Sequence, residues 1–234
     1  MAVDLARVGM RVAITYRHNR VGAEKVVREV RKAGGEVQAY FVADLASDAQ
    51  VRRLFERVTA DFGQVDAVVA NAGGPSYAAK DNLDDLDVTA WRDDLKDNLL
   101  ATVMTTKYAV RAMRAHDTGG KIVLMGSALG LDGAGNPAIS AYSAAKAATH
   151  SFARTIAKTL APKIIVNVVA PGRCWSRGYD HAAPEVVAAK MAPNKHGRFI
   201  EGAEIAQAVR MVLENDSIIG QVVPVEAGFT LLPV

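Results

Sequence analysis

Short runs rich in valine and isoleucine recur along the chain at Arg11–Tyr16, Val37–Val42, Val65–Ala70, Lys121–Met125, Ile164–Val169 and Gln221–Val225. A half-exposed strand alternates apolar and polar positions, whereas runs apolar on both faces suit a buried parallel sheet. Between them, apolar residues return every third or fourth position, the period of an amphipathic helix. These stretches are Arg20–Ala33, Ser47–Phe62, Thr89–His116, Ser140–Leu160 and Gly202–Glu214. Gly34-Gly35, Gly63 and Gly119-Gly120 fall where helices should stop. Strand–helix alternation of this kind predicts an α/β fold, a doubly wound parallel sheet in a single domain over residues 1–234. The segment Arg173–Gly197 is the one long connection without a clear strand. It holds Pro184, Pro193 and a weak helix, and predicts a lid over a site.

Composition narrows the function classes. A chain of 234 residues, half of them apolar and 23% charged, is large enough for a substantial core. Net charge is +3 with basic residues scattered among acids, so nucleic-acid binding is not expected. Cys174 is the only cysteine, which excludes an internal disulfide and a cysteine-built zinc site; no metal is expected. No apolar run reaches membrane-spanning length, and Met1–Leu5 lacks the basic region and apolar core of a secretion signal. A cytoplasmic protein without membrane contact is the expectation.

Candidate chemistry centres on Tyr142 and Lys146, in Ser140-Ala141-Tyr142-Ser143-Ala144-Ala145-Lys146. Four residues apart, they share one face of a helix. A tyrosine titrating near pH ~10 is a reluctant acid or base at neutral pH. An ammonium about 4 Å away, at an effective dielectric of about 20, favours the phenolate by roughly 4 kcal/mol, or about 3 pK units. That makes a tyrosine useful for proton transfer. Other suggestive residues follow the strands, at the carboxyl ends where doubly wound sheets bind ligands. Asp44 follows the second run, Asn71-Ala72-Gly73-Gly74 the third, Ser127 the fourth and Pro171-Gly172 the fifth. Glycine or asparagine after a strand often only makes a turn. The ordered series carries more weight than any one member.

Together these motifs resemble the short-chain dehydrogenase/reductase family, and in particular its 3-oxoacyl-carrier-protein reductase-like branch. The resemblance extends from the first residues to Gln221–Gly228. It implies a Rossmann-like sheet and a catalytic tetrad of Asn98, Ser127, Tyr142 and Lys146. In that reading Tyr142 protonates the carbonyl oxygen as hydride arrives, or removes the alcohol proton in reverse. Lys146 holds the nicotinamide ribose, Ser127 orients the reacting oxygen, and Asn98 holds a water that returns protons to Lys146. The simpler alternatives are a helix asparagine bonded to local backbone for Asn98 and a loop cap for Ser127. Ser140 is expected to open the helix as its cap.

The resemblance also implies a nicotinamide dinucleotide. NAD-preferring sheets carry an acid after the strand that meets the adenosine ribose. Thr15-Tyr16-Arg17-His18-Asn19 has no acid and one guanidinium, which suits a 2′-phosphate, so NADP(H) is expected over NAD(H). A surface arginine without a ligand is the alternative for Arg17. By resemblance Asp44 contacts the adenine, Asn71, Ala72 and Gly73 line the adenosine ribose, and Pro171 and Gly172 meet the nicotinamide. Ser176 stands where a threonine is usual and keeps a hydroxyl for the cofactor. The expected function is reversible reduction of a small-molecule ketone to a secondary alcohol by a homo-oligomer, a tetramer. Its subunits would meet through Thr89–His116 and Ser140–Leu160.

One part of the family pattern is not found. Members begin with a strand and a glycine-rich turn that cradles the pyrophosphate. Here Met1–Met10 is similar to the second half of the helix that follows that turn, so about 20 residues are expected to be missing. A late start site, a true truncation, or a remnant whose flanking strands pair directly would each explain this. The rival function is therefore a non-catalytic remnant acting in binding or subunit interaction.

Overall fold

A computed structural model describes residues 1–75, 84, 86–131, 134–135, 137–175 and 179–231. All six expected strands form: β1 (Val12–Tyr16), β2 (Val37–Phe41), β3 (Ala67–Ala70), β4 (Gly120–Met125), β5 (Ile164–Pro171) and β6 (Val222–Val225). The helices are α1 (Ala2–Arg7), α2 (Arg20–Lys32), α3 (Asp48–Phe62), α4 (Val88–Leu95), α5 (Ala101–Arg114), α6 (Ser140–Leu160), α7 (Pro184–Met191) and α8 (Gly202–Glu214). Gly63 closes α3 in the left-handed region at φ 85, where a side chain would be strained.

Every ladder is parallel. The sheet comes as a pair, β1–β2, and a quartet in the order β3-β4-β5-β6. Among the described residues β1 and β3 share no ladder, so the direct pairing considered for a remnant does not occur. The consequence shows in burial. The last four residues of β4 and the first seven of β5 are buried, whereas Ala13 and Thr15 of β1 are exposed.

Helices cover both faces. Ile122 and Leu124 of β4 join a core with Leu54 and Phe55 of α3, Tyr108 and Met113 of α5, and Ala153 and Ala157 of α6. The alternate residues Val123 and Met125 turn to the other face, against Leu5 of α1 and Ile205, Val209 and Val212 of α8. Alternation of two apolar sets along one strand is the arrangement the continuous valine-rich runs predict. Helix α6 meets the sheet through Ala141, Ala145, Ala153 and Ala157, small residues that allow a close approach. That closeness brings Tyr142 and Lys146 to the end of β4.

The expected single helix Thr89–His116 is interrupted. Between α4 and α5, Lys96–Leu100 form a π-turn. Ser140 does not cap α6: the cap position is Ile139, and the Ser140 hydroxyl instead accepts the Trp91 indole N–H at 3.3 Å. In the expected lid, Trp175 and Tyr179 pack on Phe199, with ring centroids 5.4 and 5.3 Å from it, while Cys174 and Ile200 form an isolated bridge.

Candidate active site

The carboxyl ends of β1 to β5 carry Arg17, Asp44, Asn71–Gly74, Ser127 and Pro171-Gly172 on one rim of the molecule. Ser176 lies outside the described residues.

At the centre of this rim α6 sets Tyr142 and Lys146 one turn apart. The Lys146 Nζ lies 5.5 Å from the centre of the Tyr142 ring. It is 4% exposed and donates to the Met125 carbonyl at 2.8 Å, the last residue of β4. Burial pushes its pKa down to about 8, which still leaves it mostly protonated at neutral pH. An ammonium has three donors, and one is committed to Met125.

Ser127 sits two residues beyond Met125 and is buried. Its hydroxyl oxygen accepts the Leu129 N–H at 3.2 Å and caps the short 3₁₀ turn Ala128–Gly130. The cap is formed, and it is compatible with the catalytic role expected of Ser127. An oxygen that accepts a backbone N–H keeps its own O–H to donate, and is polarised as a donor.

Asn98 lies within the π-turn, fully buried. Its Nδ2 donates to the Asp94 and Gly74 carbonyls, both at 3.0 Å, so the local backbone bond is real. The bond to Gly74 is not local: it ties the π-turn to the loop after β3. The side-chain oxygen of Asn98 has no partner among the described residues. A buried acceptor left open suits a bound water. Gly73 faces the same oxygen at φ 123, and a Cβ there would stand 2.5 Å from it. The Asn71–Gly74 loop is exposed.

The two outer residues are engaged. Arg17 pairs with Asp97 at 3.0 Å, and Asp44 with Lys96 at 2.8 Å. The hydrogen bond from Lys96 is the main cause holding the Asp44 carboxyl below its ordinary pKa. Lys96 and Asp97 escape a reading of the sequence, because their partners lie far away along the chain. Gly172 has a structural reason to be glycine: a Cβ would come within 2.7 Å of the Glu226 backbone.

These features fit a dinucleotide. Among the described residues, a buried ammonium with two further donors, an open asparagine oxygen and an exposed glycine loop occupy the rim where such sheets bind nucleotides.

Known proteins agree. A family described as short chain dehydrogenase matches residues 1–181. The chain is 37% identical over 233 residues to 3-oxoacyl-[acyl-carrier-protein] reductase of Homo sapiens, covering 97% of this chain and 91% of that one. It is 34% identical over 212 residues to cis-4-hydroxycyclohexanecarboxylate dehydrogenase of Sinomonas cyclohexanicum, covering 89% and 83%. Among solved structures, acetoin dehydrogenase of Enterobacter cloacae superposes with a TM-score of 0.86 at 28% identity, covering 99% of this chain and 90% of that one. A variant of actinorhodin polyketide ketoreductase with NADPH superposes with a TM-score of 0.88 at 25% identity, covering 99% and 92%. The chain belongs to the short-chain dehydrogenase/reductase family, NAD(P)-dependent oxidoreductases of carbonyl and alcohol groups.

Proposed function

We propose that this protein is an NADP(H)-dependent oxidoreductase that interconverts a ketone and a secondary alcohol, with Tyr142 as general acid and base. The observation that carries the reading is Lys146, a buried ammonium beside the Tyr142 ring that donates to the Met125 carbonyl. The cofactor supplies or accepts hydride. Lys146 holds the ribose hydroxyls with its two remaining donors and keeps positive charge next to the phenol. Tyr142 moves the proton to or from the substrate oxygen. Ser127 donates its O–H to that oxygen and fixes its direction. Asn98 holds a water on its open oxygen, so that protons return toward Lys146.

Arg17 supports NADP(H) over NAD(H), with no acid in Thr15–Asn19 to bond a free ribose hydroxyl. Asp44 meets the adenine, Asn71, Ala72 and Gly73 the adenosine ribose, and Pro171 and Gly172 the nicotinamide. Relatives are named for carrier-bound 3-oxoacyl groups and for a ring alcohol, so the shared denominator is a ketone or secondary alcohol. We further propose a cytoplasmic homotetramer. Val88 and Leu100, apolar and exposed on the α4–α5 segment, support an interface there. Light scattering at several concentrations tests it.

Tyr142→Phe tests the chemistry. Turnover with NADPH should fall about 10²–10⁴-fold, the scale of general acid–base catalysis, with the NADPH dissociation constant little changed. Turnover near the wild-type rate would remove Tyr142 from the role. A wild-type chain that binds NADPH but turns over no ketone or alcohol would favour the non-catalytic binding reading.

A further inference from the structure

Tyr142, Lys146 and His150 occupy successive turns of α6 at four-residue spacing. The third has no part in the chemistry above. Its imidazole is 5% exposed and packs beneath the turn that carries Ser127. The Nε2 atom accepts the Ser127 N–H at 3.4 Å, and the Cε1 edge of the ring lies against Gly130 at the far end of the turn. These contacts reach the two ends of one tight turn, in which the Gly130 N–H donates to the Ser127 carbonyl at 3.0 Å. Glycines make the space. A Cβ at Gly126 would collide with Nε2, and one at Gly130 would lie 2.9 Å from Cε1.

The ring chemistry matches the contact at Ser127. A neutral imidazole keeps one bare nitrogen, the acceptor that a backbone N–H needs. Burial, followed by the charge of Arg154, pushes the His150 pKa down to about 4, so the acceptor nitrogen is available at neutral pH. Lys146 also holds the same backbone segment, at Met125. The exit of β4 is thus clamped from α6 at Met125 by one side chain and at Ser127 by another.

We propose that His150 is a positioning residue for Ser127, holding the Ser127–Gly130 turn so that the serine O–H points at the reacting oxygen. The proposal rests on the catalytic role of Ser127 proposed above. Without the imidazole acceptor the buried Ser127 N–H loses its partner, and the turn shifts to find another. The Leu129 N–H and the Ser127 oxygen shift with it.

Reduction of ethyl acetoacetate with NADPH by the full chain tests this, using His150→Leu, His150→Gln, Ser127→Ala and the His150→Leu/Ser127→Ala pair. The glutamine amide oxygen reaches the place of Nε2, while leucine keeps the volume and loses the acceptor. His150→Leu should lower kcat about tenfold or more while the KM for NADPH stays within about twofold. His150→Gln should recover most of that loss, and the double variant should be no slower than Ser127→Ala alone. A wild-type kcat in His150→Leu, no recovery in His150→Gln, or additive losses would overturn the positioning role. Full activity in Ser127→Ala would instead remove the premise. Nitrogen-15 shifts of the imidazole in the unaltered protein provide a test that depends on no variant. The expected tautomer has a bare Nε2, and a protonated Nε2 at neutral pH would overturn the proposal.

Discussion

Burying Lys146 costs the fold free energy, and the sign of that cost can be read from pH. Its native pKa of about 8 lies below the unfolded value of 10.5. Between those two values the unfolded chain holds a proton that the native chain has lost, so stability rises with pH across the window. The full rise is about 3 kcal/mol at 1.36 kcal/mol per unit. Urea unfolding from about pH 8 to about 10.5 should show this rise in the wild type and not in Lys146→Met; parallel curves would contradict it. The outer rim makes a different prediction. Arg17 is shared with Asp97, which also presents a negative charge to any 2′-phosphate. Asp97→Asn should lower the KM for NADPH roughly three- to tenfold and leave NADH little changed, whereas Arg17→Ser should erase the proposed preference for NADPH. Equal effects on both cofactors would place Arg17 outside the phosphate site. Tyr142 and Lys146 are legible because their relation is local, four positions on one helix. Lys96 and Asp97 are not, since ion pairs with residues in loops after distant strands leave no trace in spacing. His150 shares the legible spacing, but its role depends on backbone from the end of β4.

At the scale of elements, the strands are legible because each valine-rich run needs burial on both faces. The interruption of Thr89–His116 is not. No glycine or proline marks it, and the sequence keeps a helical apolar period throughout. The π-turn at Lys96–Leu100 is sustained by a tertiary contact, the bond from Asn98 to the Gly74 carbonyl. Such turns inside α-helices often mark functional sites, and here the turn aims Asn98 at the loop after β3. Gly73 completes the fit, and its substitution separates backbone need from loop composition. Gly73→Ala forces a Cβ to within 2.5 Å of the Asn98 oxygen at a φ of 123 that alanine rarely adopts. A loss of about 1–3 kcal/mol follows. The adjacent Gly74→Ala meets nothing within 4 Å among the described residues and should be near neutral. Thermal unfolding of both variants checks this; equal melting points would show that the loop yields without disturbing Asn98.

The whole molecule is held together unevenly. Among the described residues β4 has ladder partners on both sides, β3 and β5, whereas β1 pairs with β2 alone. What fastens the β1–β2 pair to the quartet is side-chain packing and ion pairs. Val12 and Leu5 share a core with Val209 and Met125, and Tyr40 and Val42 pack with Leu54 and Ile122. At the rim the links are Arg17–Asp97 and Asp44–Lys96, both solvated and therefore weak. The apolar pattern of Arg11–Tyr16 predicts a strand in a sheet interior, yet Ala13 and Thr15 are exposed, because burial of a strand depends on neighbours that its own residues do not supply. Proteins open in cooperative units, and those with fewer buried contacts and unpaired edges open first. The segment from α1 through β2 should therefore open as a unit before β4 and β5 do. Native-state hydrogen exchange in low urea resolves this. Amides of β1 and β2 should exchange with a lower free energy and a smaller urea dependence than those of Ile122–Met125 and Val166–Val169. A single exchange free energy and slope for all four strands would mean that packing alone couples the pair to the quartet as firmly as a ladder does.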